Sequence, residues 1–337
     1  MIKKILVILS TLLFALISSY NCLAQEKRAQ TTMKFLSTPL DARAASMADA
    51  HTAFQLGATA MFYNPSSMAQ MEDKISVTAG YLEWIADITY NSAAIAYRPS
   101  DGRYGVVGAH MSAVDYGDFQ ETIPDGSESG YRDLGTYSPS SYSVGITYAY
   151  PLSSEFMIGA SVKYVSLDLA NAVIGFGSGE GGLTRRNFDS NTLAYDFGLL
   201  YKVGFESLKF AMSVRNFATD VTFDREETEL PLTFRIGLSM NLLDLTEIDG
   251  NMHQFIVAVD ANRPRDYYEQ LMFGGEYKFM NRFSLRGGYV FPADESNVSF
   301  GAGITQPIGD SSLQVDYSYT AFGIFDNVQR IGVKFGF

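Results

Sequence analysis

The chain has 337 residues, of which 47% are hydrophobic but only 18% charged. That is below the ~25% charge usual in soluble domains, and Gly (30), Tyr (21) and Phe (24) fill the gap. The formal charge of −12 excludes a phosphate-tracking role, because nucleic-acid binding needs a cationic face to displace counterions. The single cysteine, Cys22, leaves the body of the chain without a disulfide framework, a thiol nucleophile or a thiolate metal site.

Residues 1–24 read as an export signal. Lys3 and Lys4 form a basic start, Ile5 to Ser19 an apolar run, and Cys22-Leu23-Ala24 a small-x-small cleavage site. The run is shorter than the ~20 residues a membrane anchor needs. Tyr20 and Asn21 stand where a lipid-anchored cysteine wants small residues.

Residues 25–73 are Ala-rich with little alternation. Asp41 is placed to cap a helix containing Ala42, Arg43, Ala44 and Ala45, and Asn64 to cap a second one that starts at Pro65. The segment is too short for a domain of its own, so it is predicted to sit as a plug inside whatever residues 74–337 build.

From residue 74 onward, period-2 alternation dominates. Leu193, Tyr195, Phe197, Leu199 and Tyr201 share one face against Ala194, Asp196 and Gly198, and Phe234, Ile236 and Leu238 oppose Arg235, Gly237 and Ser239. Fourteen such segments are predicted, at 75–84, 88–97, 103–114, 137–150, 156–174, 192–203, 208–223, 230–243, 254–263, 268–280, 282–292, 298–307, 312–322 and 326–337. Each reaches the ~9–11 residues that a tilted strand needs to cross a bilayer, while no second stretch is apolar enough for a membrane helix. The prediction is an all-β, fourteen-stranded antiparallel transmembrane barrel of the outer membrane. Tight connections follow even-numbered strands, and the long insertions at 115–136 and 175–191 follow odd-numbered ones. This parity predicts that both chain ends finish on the periplasmic side.

Alternation turns Lys163, Asp196, Arg215, Arg235, Asp260, Glu276, Lys278, Arg286, Asp316, Arg330 and Lys334 inward. Facing lipid, an Arg or Lys at the midplane would cost ~2–4 kcal/mol, whereas mixed signs in a lumen can pair. The last strand alternates up to Phe335 and a terminal Phe337, like the signal read by outer-membrane insertion machinery. The two long insertions carry Phe119, Tyr131, Arg132, Arg185 and Arg186, residue types that anchor protein interfaces, and are candidate partner-binding loops.

Signals for enzymatic chemistry are poor. His51, His110 and His253 have no ligand-spaced partners, so no metal is expected. His110 and Ser112 share a strand face, but no orienting third group accompanies them to make a hydrolase. The run GFGSGEGG at 175–182 lacks the Lys-Ser/Thr of a phosphate cradle. A non-enzymatic protein without cofactors is expected.

KFLSTPLDARAASMADAHTAF at 34–54, ATAMFYNPSSMAQM at 58–71 and YLEWIADITYNSAAIAY at 81–97, with ELPLTFRIGLS, GGEYKF and VDYSY further on, resemble the PorV/PorQ family of outer-membrane proteins. That family lies within a wider FadL-like group of fourteen-stranded barrels. Ala48-Asp49 and Asn64-Pro65-Ser66 depart from the pattern common among relatives and leave the subgroup open. The resemblance implies an accessory role in type IX secretion, with partners being cargo C-terminal domains and the translocon or attachment complex. The FadL side implies instead uptake of hydrophobic small molecules through a plugged barrel. A continuous apolar groove inside would favour transport, and a filled polar interior a docking scaffold.

Overall fold

A computed structural model describes residues 31–337 apart from 127, 177–181, 224–225, 251, 295 and 326. The expected export signal, Cys22 and most of the GFGSGEGG run therefore lie outside the described residues. The strands are β1 (Ile75–Glu83), β2 (Thr89–Tyr97), β3 (Val106–Asp115), β4 (Phe119–Pro124), β5 (Tyr131–Tyr137), β6 (Ser140–Pro151), β7 (Phe156–Phe176), β8 (Leu183–Lys202) and β9 (Lys209–Phe217). They continue with β10 (Val221–Phe223), β11 (Glu226–Thr228), β12 (Thr233–Asn241), β13 (His253–Pro264), β14 (Gln270–Phe279), β15 (Phe283–Phe291), β16 (Val298–Ile308), β17 (Ser311–Thr320) and β18 (Val328–Gly336). All but β4–β5 and β10–β11, which form two small hairpins, close one antiparallel barrel of fourteen strands sealed by β1 against β18. No described helix is long and apolar enough to cross a membrane.

Alternation dictates the wall. Leu285, Phe283 and Tyr289 point outward and are exposed, while Arg286 and Ser284 between them are buried. Arg235 is likewise buried while Leu238 of the same strand is exposed. An apolar face of this kind is stable only against lipid, and the chain is an outer-membrane β-barrel.

The core lies in the lumen and is built by residues 31–73. Asp41 accepts a hydrogen bond from the Ala44 amide at 2.8 Å and starts α1 (Ala42–Ala45). Asn64 accepts from the Ser66 amide at 3.2 Å and starts a 3-10 turn over Pro65–Gln70. Met47, Phe54, Met61, Tyr63 and Met68 of this segment pack against Val106, Met272 and Val290 of the wall. The wall admits the segment through inward glycines. A Cβ on Gly288 would stand 2.2 Å from the Ala48 amide nitrogen and the Met47 carbonyl carbon, and one on Gly159 would stand 2.5 Å from the backbone of Pro65 and Ser66. Main chain packs on main chain there, which only a residue without a Cβ permits.

Two expectations require correction. The insertion at 115–136 is largely the β4–β5 hairpin, and the one at 175–191 is mostly strand, because β7 and β8 run 21 and 20 residues and project well past the rim. Beyond the membrane neither face of a strand need be apolar, so alternation fades while pairing continues. The C-terminal residue and the first described residue stand at opposite rims, while residues 1–30, on which the expectation of a shared side rests, lie outside the described residues. Phe337 pairs with Ile75 at one rim, hereafter the seam end, whereas Thr31 bridges Glu229 and Lys34 pairs with Asp266 at the opposite rim. The internal segment threads the full length of the lumen.

Candidate functional site: the plugged lumen

The inward charges meet each other and the plug. Arg43 of α1 grips Glu276 of β14 with two bonds, Nε to Oε2 at 2.8 Å and Nη2 to Oε1 at 2.7 Å. Arg286 of β15 donates to the same carboxylate and to Asp316 of β17 at 2.7 Å. Lys334 of β18 approaches Asp316 at 3.9 Å and returns to the plug at Asp41, 3.0 Å away. Lys278 adds a second cation 3.5 Å from Glu276. The chain Asp41–Lys334–Asp316–Arg286–Glu276–Arg43 thus ties four strands to one turn of helix.

A second group sits across the lumen. Lys163 donates to both oxygens of Asp196 at 2.9 and 2.8 Å and to Asn216 at 2.7 Å. Asp260 of β13 accepts from the His51 and Thr52 amides, each at 2.9 Å, and from the Thr52 hydroxyl at 2.6 Å. Arg235 donates to the Asp49 carbonyl at 3.0 Å and also to its carboxylate. His51 is wholly buried, its ring stacked on Phe54 at 4.8 Å. Burial first, and then the charge of Arg43, lowers its pKa to about 3. It is a neutral packing group, and the described residues contain no cluster of His, Cys, Asp and Glu able to hold a metal.

Among the described residues a cavity opens at each end of the lumen. The one at the seam end, about 370 Å³, is lined by Lys209, Lys278, Gln254 and Gln314 together with Glu72 and Asp73. The one at the far end, about 260 Å³, combines Trp84, Met272, Val290 and Phe322 with Arg215, Arg235 and Arg330. Plug core and ion pairs fill the space between them.

Each predicted site residue can now be placed. Asp41, Arg43, Asn64 and Pro65 are buried in the plug, and Asp196, Arg215, Arg235, Asp260, Glu276, Arg286 and Asp316 are buried on the lumen face. The structure draws Arg43, Glu276, Arg286 and Asp316 into one network and sets Arg215 apart from it. The five loop candidates stand on strands rather than loops. Phe119 of β4 stacks on Tyr137 at 5.7 Å, Tyr131 and Arg132 belong to β5, and Arg186 of β8 covers the Phe188 ring. Arg185 is engaged internally, bonding Glu121 at 2.8 Å and the Asn171 carbonyl at 2.7 Å, so it clamps one hairpin to the next. Ser112 bonds Ser143 at 2.9 Å, while the His110 ring lies edge-on to Phe62. The Phe335 and Phe337 rings lie side by side on the outer wall at 5.7 Å. Sequence reasoning missed Asp49 and Trp84. Trp84 is the only tryptophan in the chain, and that singularity was the available signal.

No protein-family model matches the chain, and no curated protein matches it. Solved structures do. The monoaromatic hydrocarbon channel CymD aligns with TM-score 0.53 at 12% identity, covering 88% of this chain and 97% of its own. The toluene transporter TodX of Pseudomonas putida aligns with TM-score 0.53 at 14% identity, covering 87% and 96%. A FadL homologue of Pseudomonas aeruginosa aligns with TM-score 0.52 at 11% identity, covering 88% and 98%. At such identities the likeness is one of fold, and the fold is that of FadL-like outer-membrane channels.

Proposed function

We propose that this barrel is a plugged channel admitting hydrophobic or amphipathic small molecules across the outer membrane, acting without catalysis and without a cofactor. The observation that carries the reading is the far-end cavity, a chamber of mixed apolar and cationic lining held between plug and rim. Concave, partly apolar chambers with a few convergent polar groups are what small-molecule sites look like, and the barrels of like fold include a monoaromatic hydrocarbon channel and a toluene transporter. In this reading residues 1–24 export the chain, residues 25–73 plug the lumen of the 74–337 barrel, and the seam end faces the periplasm. The test is uptake of radiolabelled toluene by intact cells of a strain lacking its own hydrophobic channel. Uptake should rise when the chain is produced, and unchanged uptake at full barrel abundance refutes the reading.

A second reading has one observation in its favour: the middle of the lumen is filled and salt-bridged rather than traversed by an apolar groove. That favours a docking scaffold, as an accessory to type IX secretion would be, with the projecting β4–β5 and β7–β8 hairpins as its surface. The comparisons lend no sequence support to that family. Purification of the intact protein from native outer membranes, followed by identification of co-purifying chains, tests it, and recovery of an exported protein or a secretion component is the expected result.

A further inference from the structure

The buried cations of the lumen follow a rule that two of them break. Arg43, Lys163, Arg235 and Arg286 each meet a carboxylate within 3 Å. Among the described residues Arg215 of β9 and Arg330 of β18 meet none, although they are 7% and 2% exposed. Arg215 has one bond, from Nη1 to the Phe62 carbonyl, a buried Nε without a partner, and its guanidinium 5.7 Å over the Tyr63 ring. Arg330 donates from Nε to the Pro39 carbonyl at 2.8 Å and from Nη1 to the Thr320 hydroxyl at 3.0 Å, with its guanidinium 5.7 Å over Trp84. Carbonyls, hydroxyls and ring faces partly satisfy a guanidinium, but they do not neutralise it, and a desolvated charge without a counter-charge is costly.

The two exceptions line the same far-end cavity. The other two cations lining it are spoken for, Arg235 by Asp49 and Lys34 by Asp266. Asp49, the one acid of the described lining, is bonded to Arg235, so the chamber carries two positive charges with no paired carboxylate beside an apolar wall of Trp84, Met272, Val290 and Phe322. Its volume, about 260 Å³, falls near the lower limit of ~300 Å³ typical of small-molecule sites. A ring-sized body with one acidic group fits, and a long extended chain does not.

We infer that the far-end cavity is a binding site for a compact organic anion, with Arg215 and Arg330 as its counter-charges. The inference rests on the channel reading above and adds a charge requirement to it. The planar fork of Arg favours a carboxylate, which can accept two N–H bonds at once, and the ligand's ring takes the place beside Trp84.

Because Trp84 is the only tryptophan, its fluorescence reports on this cavity in the full-length protein. Benzoate and benzyl alcohol, titrated into the protein folded in phosphatidylcholine vesicles, present the same ring with and without the charge. Benzoate should give a saturable change with an affinity at least about ten-fold above that of benzyl alcohol, the difference expected of one charge-assisted hydrogen bond. Arg215→Gln should collapse that preference towards unity, and Arg215→Lys should retain part of it. Arg330→Gln offers a second route should Arg215→Gln fail to fold, which loss of heat-modifiable mobility on gels would reveal. Equal affinities for the two probes, no saturable response to benzoate, or a preference unaltered in both glutamine variants overturns the proposal. The toluene uptake of the unaltered protein is measured separately. Uptake without benzoate selectivity sinks the anion site alone, and Arg-dependent benzoate binding without uptake sinks the channel reading alone.

Discussion

Replacing Glu276 by glutamine keeps shape but removes one charge from the centre of the network and turns one acceptor oxygen into an amide donor that faces guanidinium N–H groups. The carboxylate has no exposure and receives two bonds from Arg43 and one from Arg286, with Lys278 close by. Arg286 retains Asp316, but Arg43 is left buried with no carboxylate of its own. Removing one partner of a buried pair costs about 3–5 kcal/mol, which is a factor of roughly 10² to 10³ or more in the folding equilibrium. The control is Glu269→Gln, which breaks the rim pair between Arg263 and Glu269, 3.4 Å apart and 73% and 67% exposed. Exposed pairs of that kind are worth about 0–1 kcal/mol. Urea unfolding of both variants in vesicles, followed by Trp84 fluorescence and by heat-modifiable mobility, measures the two costs side by side. If Glu276→Gln lies within about 1 kcal/mol of Glu269→Gln, the network does not hold the plug and the reasoning is wrong.

Gly288→Val should expel the plug locally, because a side chain there meets the Met47–Ala48 backbone, which cannot turn aside; protease cleavage within residues 31–73 of the folded barrel should appear in this variant and not in Gly250→Val, whose Cβ meets open space. His51 gives the plug an acid sensitivity. Its folded pKa of about 3 lies below the ordinary 6.5, so as pH falls through 6.5 the unfolded chain takes up the proton first and stability drains away, by at most about 1.4 kcal/mol per pH unit. His51→Gln should flatten that slope between pH 6.5 and 5 in unfolding titrations, and an unchanged slope would place the sensitivity elsewhere. Deleting Phe337 removes the residue whose backbone pairs with both polar groups of Ile75 at the closing seam; outer-membrane levels of the barrel should drop, and normal levels would count against the insertion signal.

The barrel wall was legible because the bilayer imposes a local rule: one face must be apolar at every second residue, so Leu285 and Arg286 declare their directions without any knowledge of their neighbours. The two caps were legible for a similar reason, since Asp41 and Asn64 act on amides only two or three residues away. What lay beyond was everything non-local. Arg43 could be picked out as a plug residue, but its partner Glu276 is 233 positions distant. Arg215 and Arg286 look alike as inward cations, and only three-dimensional placement shows that one is paired and the other is not. The projecting part of β8 reads as loop because, clear of the membrane, residues such as Arg185, Arg186 and Asp189 need not alternate with anything.

The threading of residues 31–73 through the lumen bears on the order of assembly. The ring can close only when its last-made strand, β18, reaches its first-made one, β1, and the plug touches both. The Ala58 amide bonds Ser76 of β1 at 3.1 Å, and Asp41 holds Lys334 of β18 at 3.0 Å. The two lips of the seam are therefore stitched to a common thread from inside. A chain whose N-terminal segment has already folded presents β1 with a template waiting for β18, and zipping the final pair also completes the ion-pair chain. Closure and plugging are then a single cooperative event, in which the plug around Asp41 and Ala58 helps to receive the last strand.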